Sequence, residues 1–240
     1  LHMLIAATSD VHIPRFYEEF VKAVDKLQAK PDLFLLAGDM VERGEVNEYE
    51  KVWNTLFGKI SCPIVACFGN TEFQQYREEM KERFKGIKFL DDEATILQIG
   101  GELVGIVGTT GCLDVPTIWQ KRNIPNIEKI YQERTMVIEK LLQRMVRVDV
   151  KILLSHYAPT YKTLVGENPR VYGSLGSKMV EEVLIKTKPT LAIHGHSHRG
   201  TKFAWVDTVP VFNVALPLNG EIVLIDTEKD LKVGIKRFVE

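Results

Sequence analysis

Short apolar runs recur along the chain, and each stops at a polar residue. Leu4-Ile5-Ala6-Ala7, Leu33-Phe34-Leu35-Leu36-Ala37, Pro63 to Phe68, Ile152-Leu153-Leu154 and Leu191-Ala192-Ile193 show no alternation of apolar and polar positions. Strands open to water on one face alternate, so these runs predict strands covered on both faces, as in a largely parallel sheet. The segments between them change period. Phe16, Phe20, Val21, Val24 and Leu27 follow helical spacing and close at Pro31; further helices are expected over about Glu48–Phe57 and Gln74–Phe84. Ala94–Ile99 and Leu103–Val107 flank Gly100-Gly101, a tight-hairpin signal. The class is therefore α/β.

The second half is less regular. Gly111 to about Asn126 fits no simple unit; it carries Asp114, Trp119, Lys121 and Arg122, and both a pocket rim and a solvated connection are compatible with it. A long amphipathic helix should run to about Arg147, with Ile127, Ile130, Val137, Ile138, Leu141, Leu142 and Met145 inward. Lys151–Leu154 is another strand. An irregular stretch to Ser177, with Tyr161, Lys162, Arg170, Tyr172 and Gly173-Ser174, is long enough for a compact domain to suggest a substrate rim. A helix over Lys178–Lys186 follows. Phe203–Val206, Val211–Ala215, Glu221–Asp226 and Leu231–Phe238 are expected to be short antiparallel strands completing a second sheet. No repeat or linker interrupts the pattern, so residues 1–240 are read as one domain. Leu1-His2 ahead of Met3 reads as a cloning remnant, and His2 carries no weight.

Composition narrows the choice of partners. Hydrophobic residues make up 45% of the 240 and charged residues 26%, and the formal net charge of −1 argues against nucleic acid or an anionic membrane as partner. Cys62, Cys67 and Cys112 form no C-x-x-C pair and fit reduced thiols in a cytoplasmic protein. No apolar run approaches the roughly 20 residues needed to cross a bilayer. Self-association stays open.

The chemistry sits where the apolar runs end. Asp10, His12, Asp39, Asn70, His156, His196 and His198 lie at or just beyond the C-terminal ends of the five runs, the edge at which open α/β sheets bind ligands. Three of the six histidines fall in Ile193-His194-Gly195-His196-Ser197-His198. On a strand, positions i and i+2 leave the same face, so His194, His196 and His198 would converge if the extended geometry persisted. Imidazole is the commonest metal ligand. Mixed imidazole, carboxylate and amide donors without thiolate suit manganese, iron, cobalt, nickel or zinc. A lone histidine would more simply be a core residue bonded to backbone, and for His194 that reading is preferred over a catalytic acid. Asp114, Tyr157 and Arg170 are weaker candidates that would shape the rim.

Taken together, these residues resemble the calcineurin-like metallophosphoesterases. The D-x-H motif corresponds to Asp10-Val11-His12, and G-D-x-x-x-R-G to Gly38 through Gly44 with Arg43 at the arginine position. The later motifs correspond to Gly69-Asn70, to the strand-end histidine His156, and to Gly195-His196-Ser197-His198. The resemblance implies a four-layer α-β-β-α sandwich, two mixed sheets flanked by helices, around two divalent cations. By the same carry-over Asp10, His12 and His198 hold one cation, Asn70, His156 and His196 the other, and Asp39 bridges both. A bridging hydroxide would attack phosphorus directly, and Arg43 would neutralise phosphoryl oxygens unless it merely pairs with Glu42 or Glu45.

One position departs from the family. Its frequent G-N-H-D/E motif reads Gly69-Asn70-Thr71-Glu72, so threonine stands where a histidine usually protonates the leaving oxygen. General-acid help is worth roughly 10²- to 10⁴-fold. Without it the chemistry should favour better leaving groups, as in the small bacterial and archaeal phosphodiesterase branch that lacks this histidine. The expected activity is therefore hydrolysis of a small or activated phosphodiester, with Arg43, Asn70 and His194 as catalytic candidates. The alternatives are a phosphomonoesterase or nucleotide phosphatase using His194, Glu72 or a metal-bound water as acid, and a metal-binding scaffold without turnover. A nuclease is disfavoured by charge and by the missing histidine.

Overall fold

A computed structural model describes residues 2–232. The first sheet has the order β11-β1-β2-β3-β4, formed by Val223–Asp226, Leu4–Thr8, Leu33–Ala37, Ile64–Cys67 and Ile87–Leu90. Strands β1 to β4 run parallel, and β11 pairs antiparallel on the outer edge of β1. The second sheet has the order β5-β6-β7-β8-β10-β9: Glu93–Ile99, Glu102–Thr109, Val150–Ser155, Leu191–His194, Val209–Asn213 and Phe203–Val206. Its centre, β6 to β10, is parallel, and antiparallel partners close both edges.

Three apolar layers separate four layers of structure, and the sequence of single strands shows why the runs do not alternate. Ile5 and Ala7 face the layer between the sheets while Ala6 faces the outer helices; Leu33, Leu35 and Ala37 divide from Phe34 and Leu36 in the same way. Helices α1 (Tyr17–Asp25), α2 (Val46–Leu56) and α3 (Gln74–Arg83) lie on the side of the first sheet. There Phe20, Tyr49, Leu56 and Met80 fill the layer against Phe34 and Phe68. After the six-residue α4 (Ile118–Asn123), α5 (Ile127–Arg144) and α6 (Lys178–Thr187) cover the second sheet through Ile138, Leu142, Val180 and Leu184. This is the expected α-β-β-α sandwich.

Several local expectations are corrected. Strand β4 was not anticipated, because Ile87-Lys88-Phe89-Leu90 is only one turn signal away from α3 and too short to show a period. Glu221–Asp226 does not extend the second sheet: β11 joins the first, where Ile225 reaches the inter-sheet layer. Strand β10 begins at Val209, runs parallel to β8 and ends at Asn213, before a short helix α7 (Leu216–Asn219). Within the irregular stretch, Thr117 and Gln120 form a capping box that starts α4. Val137, expected inward on α5, is 40% exposed. The strand expected over Leu231–Phe238 lies outside the described residues apart from its first two positions. Among the described residues no helix is long and apolar enough to cross a membrane.

Candidate metal centre

The strand ends of both sheets meet along one edge, and backbone hydrogen bonds lock the loops there together. The segment after β1 lies beside the one after β2: Asp10, His12 and Ile13 donate their N–H groups to the carbonyls of Gly38, Asp39 and Met40 at 3.0 Å each. On the second sheet His156 donates to Thr109, and Gly195 donates to His156, at 3.1 Å each. Gly69 and Gly195 permit this closeness. A Cβ on Gly69 would strike the Asp39 carboxylate, and one on Gly195 would strike Ser9 and Asp10.

Two groups of ligand atoms result, Asp10 with His12 and His198, and Asp39 with His156 and His196, each within 4.8 Å of one another. Asp39 connects them, since its Oδ2 lies 3.3 Å from His156 Nε2 and 3.7 Å from His12 Nε2. Asp10 Oδ1 lies 3.1 Å from His198 Nε2 and 3.6 Å from His12 Nε2. Asn70 reaches the second group with Oδ1 3.0 Å from His156 Nε2. All seven predicted ligands are thus gathered at one edge.

The surroundings orient these donors. His156 Nδ1 donates to the Ala37 carbonyl at 2.8 Å, which leaves Nε2 facing Asp39 and Asn70. Asp10 Oδ2 accepts from the Ser9 hydroxyl and from the His196 N–H at 2.9 Å, leaving Oδ1 for the histidines. Asp39 Oδ1 accepts from Thr71 N–H at 2.8 Å, leaving Oδ2 between the groups. The charges respond to this packing. Burial opposes ionisation of Asp10, but hydrogen bonds to His12 and His198 outweigh it and hold its carboxyl well below the usual range. Burial likewise opposes a proton on His156, yet the Asp39 carboxylate raises its pKa to about 9. Burial, then the neighbouring His156, pushes His196 down to about 4.

The donor set fits a pair of divalent cations. Carboxylate and imidazole atoms face one another across 3 to 4 Å, with His12, His156 and His198 each presenting Nε2 to a carboxylate oxygen. Oxygen and nitrogen donors without thiolate suit borderline first-row metals. Backbone conformation agrees: Asp10, His12, Asp39, Arg43 and His196 all have φ between +46° and +69°. Non-glycine residues held in that region mark sites where the surrounding structure enforces geometry.

Residues 3–200 match the sequence profile of the calcineurin-like phosphoesterases. The chain belongs to this family. It is a hydrolase acting on phosphoric esters, and the family's members bind divalent metals. A protein of Arcobacter nitrofigilis named "Probable glycerophosphodiester phosphodiesterase GpdQ" is 23% identical over 228 residues, 94% of this chain and 77% of that protein. Two solved structures share the fold. The phosphopantetheinyl hydrolase PptH of Mycobacterium tuberculosis superposes with TM-score 0.66 at 15% identity, over 88% of each chain. The protein TT1561 of Thermus thermophilus gives 0.61 at 20% identity, over 95% of this chain and 96% of its own.

Among these calcineurin-like phosphoesterases, the present chain places its remaining candidates as follows. The three histidines at the end of β8 and just beyond it do not converge, because extended geometry stops at His194 and His196 adopts φ +69°. His196 and His198 therefore enter different groups. His194 is fully buried apart from both: Nδ1 donates to the Gly195 carbonyl and Nε2 accepts from the Thr163 hydroxyl, each at 2.7 Å. Burial pushes its pKa down to about 4, so its single proton is spent on backbone. Arg43 is exposed, and among the described residues its guanidinium makes no ion pair or hydrogen bond, with Glu42 and Glu45 included. Asp114 accepts from Tyr161 Oη at 2.7 Å, from Ser177 Oγ at 2.8 Å and from Lys178 N at 2.8 Å, a structural knot joining two loops. Tyr157 packs its ring 4.8 Å from that of His196, and Arg170 is exposed on a 3₁₀ turn over Pro169–Ser174.

The supporting roles of three residues escaped sequence reasoning, although Glu72 was weighed there as a substitute acid. Glu72 is fully buried and accepts N–H groups from Gly69, Asp39 and Met40. Glu167 accepts from Ser197 Oγ at 3.0 Å and Arg199 N at 2.9 Å, tying down the turn that carries His198. Asn213 donates to the Ser197 carbonyl at 2.9 Å. Glu72 at least carries a signal, as the acidic end of its motif; Glu167 and Asn213 carry none.

Proposed function

We propose that this phosphoesterase is a dinuclear-metal-dependent phosphodiesterase acting on small or activated diesters. The observation that carries the reading is the Asp39 carboxylate, whose one oxygen stands between His156 of one ligand group and His12 of the other. In this reading Asp10, His12 and His198 hold the first cation, Asn70, His156 and His196 the second, and Asp39 both. When bound, manganese, iron, zinc, nickel or cobalt would polarise water and neutralise charge for in-line displacement at phosphorus. The protein's own residues do the rest. Arg43 offers a planar donor fork, free of competing carboxylates, to the phosphoryl oxygens. Ala37, Ser9 and Thr71 fix the orientation of the ligands.

The preference for a diester rests on proton supply. The Thr71 hydroxyl donates to the Val41 carbonyl at 2.8 Å, so it has no proton free for a leaving oxygen. His194 has spent its proton likewise, and Glu72 is enclosed by three N–H donors. With no side-chain acid in place, substrates whose leaving groups depart without one are favoured. The Arcobacter relative's name points the same way.

Steady-state rates of metal-reconstituted protein on bis(p-nitrophenyl) phosphate and p-nitrophenyl phosphate test the proposal. A higher kcat/KM on the diester is expected. A higher value on the monoester would overturn the diester reading, and turnover of neither would favour a metal-binding scaffold.

A further inference from the structure

Beneath the turn that carries Asn70 lies a buried cation with no part in either ligand group. Arg77 is the fourth residue of α3 and is only 9% exposed. All three of its nitrogens are engaged. Nε donates to the Glu72 carbonyl at 3.0 Å, Nη2 to the Gly69 carbonyl at 3.2 Å, and Nη1 to the Asp91 carboxylate at 2.9 Å. The guanidinium carbon lies 5.0 Å from the ring centre of Phe68, which stacks in turn on Phe89. Asp91 stands between the end of β4 and the start of β5, so the guanidinium is anchored to the connection between the two sheets.

These bonds join the two ends of one four-residue turn. Gly69 and Glu72 are its first and last residues, with Asn70 and Thr71 between them. Asn70 is exposed, and among the described residues its side chain has no hydrogen-bonding partner except His156, whose Nε2 lies 3.0 Å from Oδ1. The backbone of the turn therefore decides where Oδ1 points. A buried ion pair is a poor route to stability, since apolar residues of similar volume often do as well or better. What arginine adds is a rigid planar fork that can hold two carbonyls and a carboxylate at fixed angles, which the single nitrogen of lysine cannot. We infer that Arg77 is a positioning residue of the second ligand group and acts through Asn70. By bridging the Gly69 and Glu72 carbonyls it keeps the turn in the shape that brings Asn70 Oδ1 to His156. This rests on the reading in which Asn70, His156 and His196 hold a cation. Among the described residues no hydrogen bond from Arg77 or from this turn reaches Asp10, His12 or His198, so the first group should not feel its loss.

The test is a double-mutant cycle read on metal uptake and not on turnover. Metal-free protein is titrated with manganese(II), followed by calorimetry and electron paramagnetic resonance, and the wild type is expected to take up two ions. Arg77→Lys keeps the charge beside Asp91 but cannot span both carbonyls. It should bind one ion as the wild type does and the other about 10- to 100-fold more weakly, the range for losing an outer partner of a metal ligand. Asn70→Ala should weaken the same ion, and adding Arg77→Lys to it should cost nothing more. A residue that only supports the fold would weaken both ions, or would add its full loss to that of Asn70→Ala, and either result overturns the inference. So does an Arg77→Lys protein whose affinities stay within about twofold of the wild type, the margin within which independent sites add. Should Arg77→Lys not fold, Asp91→Asn, which keeps the guanidinium but loosens its anchor, takes its place in the same cycle. Uptake of a single ion by the wild type would refute the dinuclear reading instead, and the cycle on that ion still decides Arg77. No uptake, or no effect of Asn70→Ala, leaves Arg77 with no ligand to position and overturns the inference too.

Discussion

Glu72 offers the sharpest test of how the centre is held in shape, because a single isosteric change alters its hydrogen bonds and charge while keeping its volume. Its Oε2 accepts from Gly69 N–H at 2.6 Å and Asp39 N–H at 3.1 Å, and its Oε1 accepts from Met40 N–H at 2.7 Å. The carboxylate therefore fastens the turn after β2, which presents Asp39, to the turn after β3, which presents Asn70. Burial, reinforced by the Asp39 charge, raises its pKa to about 7, while the N–H groups of Gly69 and Met40 favour the ionised form. In Glu72→Gln only one oxygen remains. Placed on Gly69 and Asp39, it turns the amide NH₂ toward the Met40 N–H, so that donor faces donor and the Met40 N–H alone goes unpaired at a cost of about 1–3 kcal/mol, before the amide's own N–H groups are counted. For a chain of this length that corresponds to a fall in Tm of roughly 2–12 °C. Glu72→Ala orphans three donors at a summed cost of about 3–9 kcal/mol, comparable to the roughly 5–15 kcal/mol that holds a typical domain folded. Calorimetric melting with elemental analysis of purified protein reads both effects. Glu72→Gln should melt lower and hold less metal, and Glu72→Ala should fail to give a cooperative transition. A Glu72→Gln protein with unchanged Tm and full metal content would refute the clamp.

Other substitutions separate ligand, substrate and scaffold roles. Asp39→Asn and His156→Ala should each lower metal content and activity together; full activity in Asp39→Asn would show the bridging assignment to be wrong. Arg43→Ala should leave metal content intact while lowering kcat/KM by about 10- to 150-fold, as expected for loss of one charge-assisted hydrogen bond of about 1.5–3 kcal/mol. Gly195→Ala, whose new methyl strikes Asp10, should empty the first ligand group, as seen by elemental analysis. Chelation should lower Tm if the cations bind only the folded chain, since a ligand at 1,000 times its Kd adds about 4 kcal/mol of stability. His194→Phe should lower Tm by unpairing Thr163 and Gly195 yet leave the diester-to-monoester rate ratio unchanged; a shift in that ratio would restore His194 as an acid.

What could be read from sequence was whatever had a fixed distance along the chain. The layers of the sandwich follow from runs such as Leu33–Ala37, where adjacent residues face opposite cores. The candidate ligands follow from their places beyond strand ends. Long-range pairing left no such trace. Nothing in Val223–Asp226 says whether it lies beside β1 or beside β10, because a short strand with one covered face fits either edge. Glu167 supports the His198 turn from a loop 30 residues away, and no spacing rule connects the two. The histidine stretch misled for a different reason. A period of two puts His194, His196 and His198 on one face only while the backbone stays extended, and it does not.

The break at His196 has a physical cause that applies to the whole centre. Had β8 continued through His198, three imidazoles would have pointed to one place, and one ligand group would have been over-supplied while the other lacked donors. Turning the chain at His196 sends that ring to His156 and Asp39, and sends His198 to Asp10 and His12. Asp10 and Asp39 turn in the same left-handed way at the ends of β1 and β2. Glycine would adopt such turns without penalty, whereas other residues held in sparsely populated conformations cost of order 1–3 kcal/mol each. Glycine has no donor atom to offer, however, and Asp and His are among the non-glycine residues that tolerate this region best. At Asp10, His12, Asp39 and His196 the strain thus falls on residues that supply both a turn and a candidate ligand atom, while Gly38, Gly69 and Gly195 beside them absorb the crowding that a second side chain would cause.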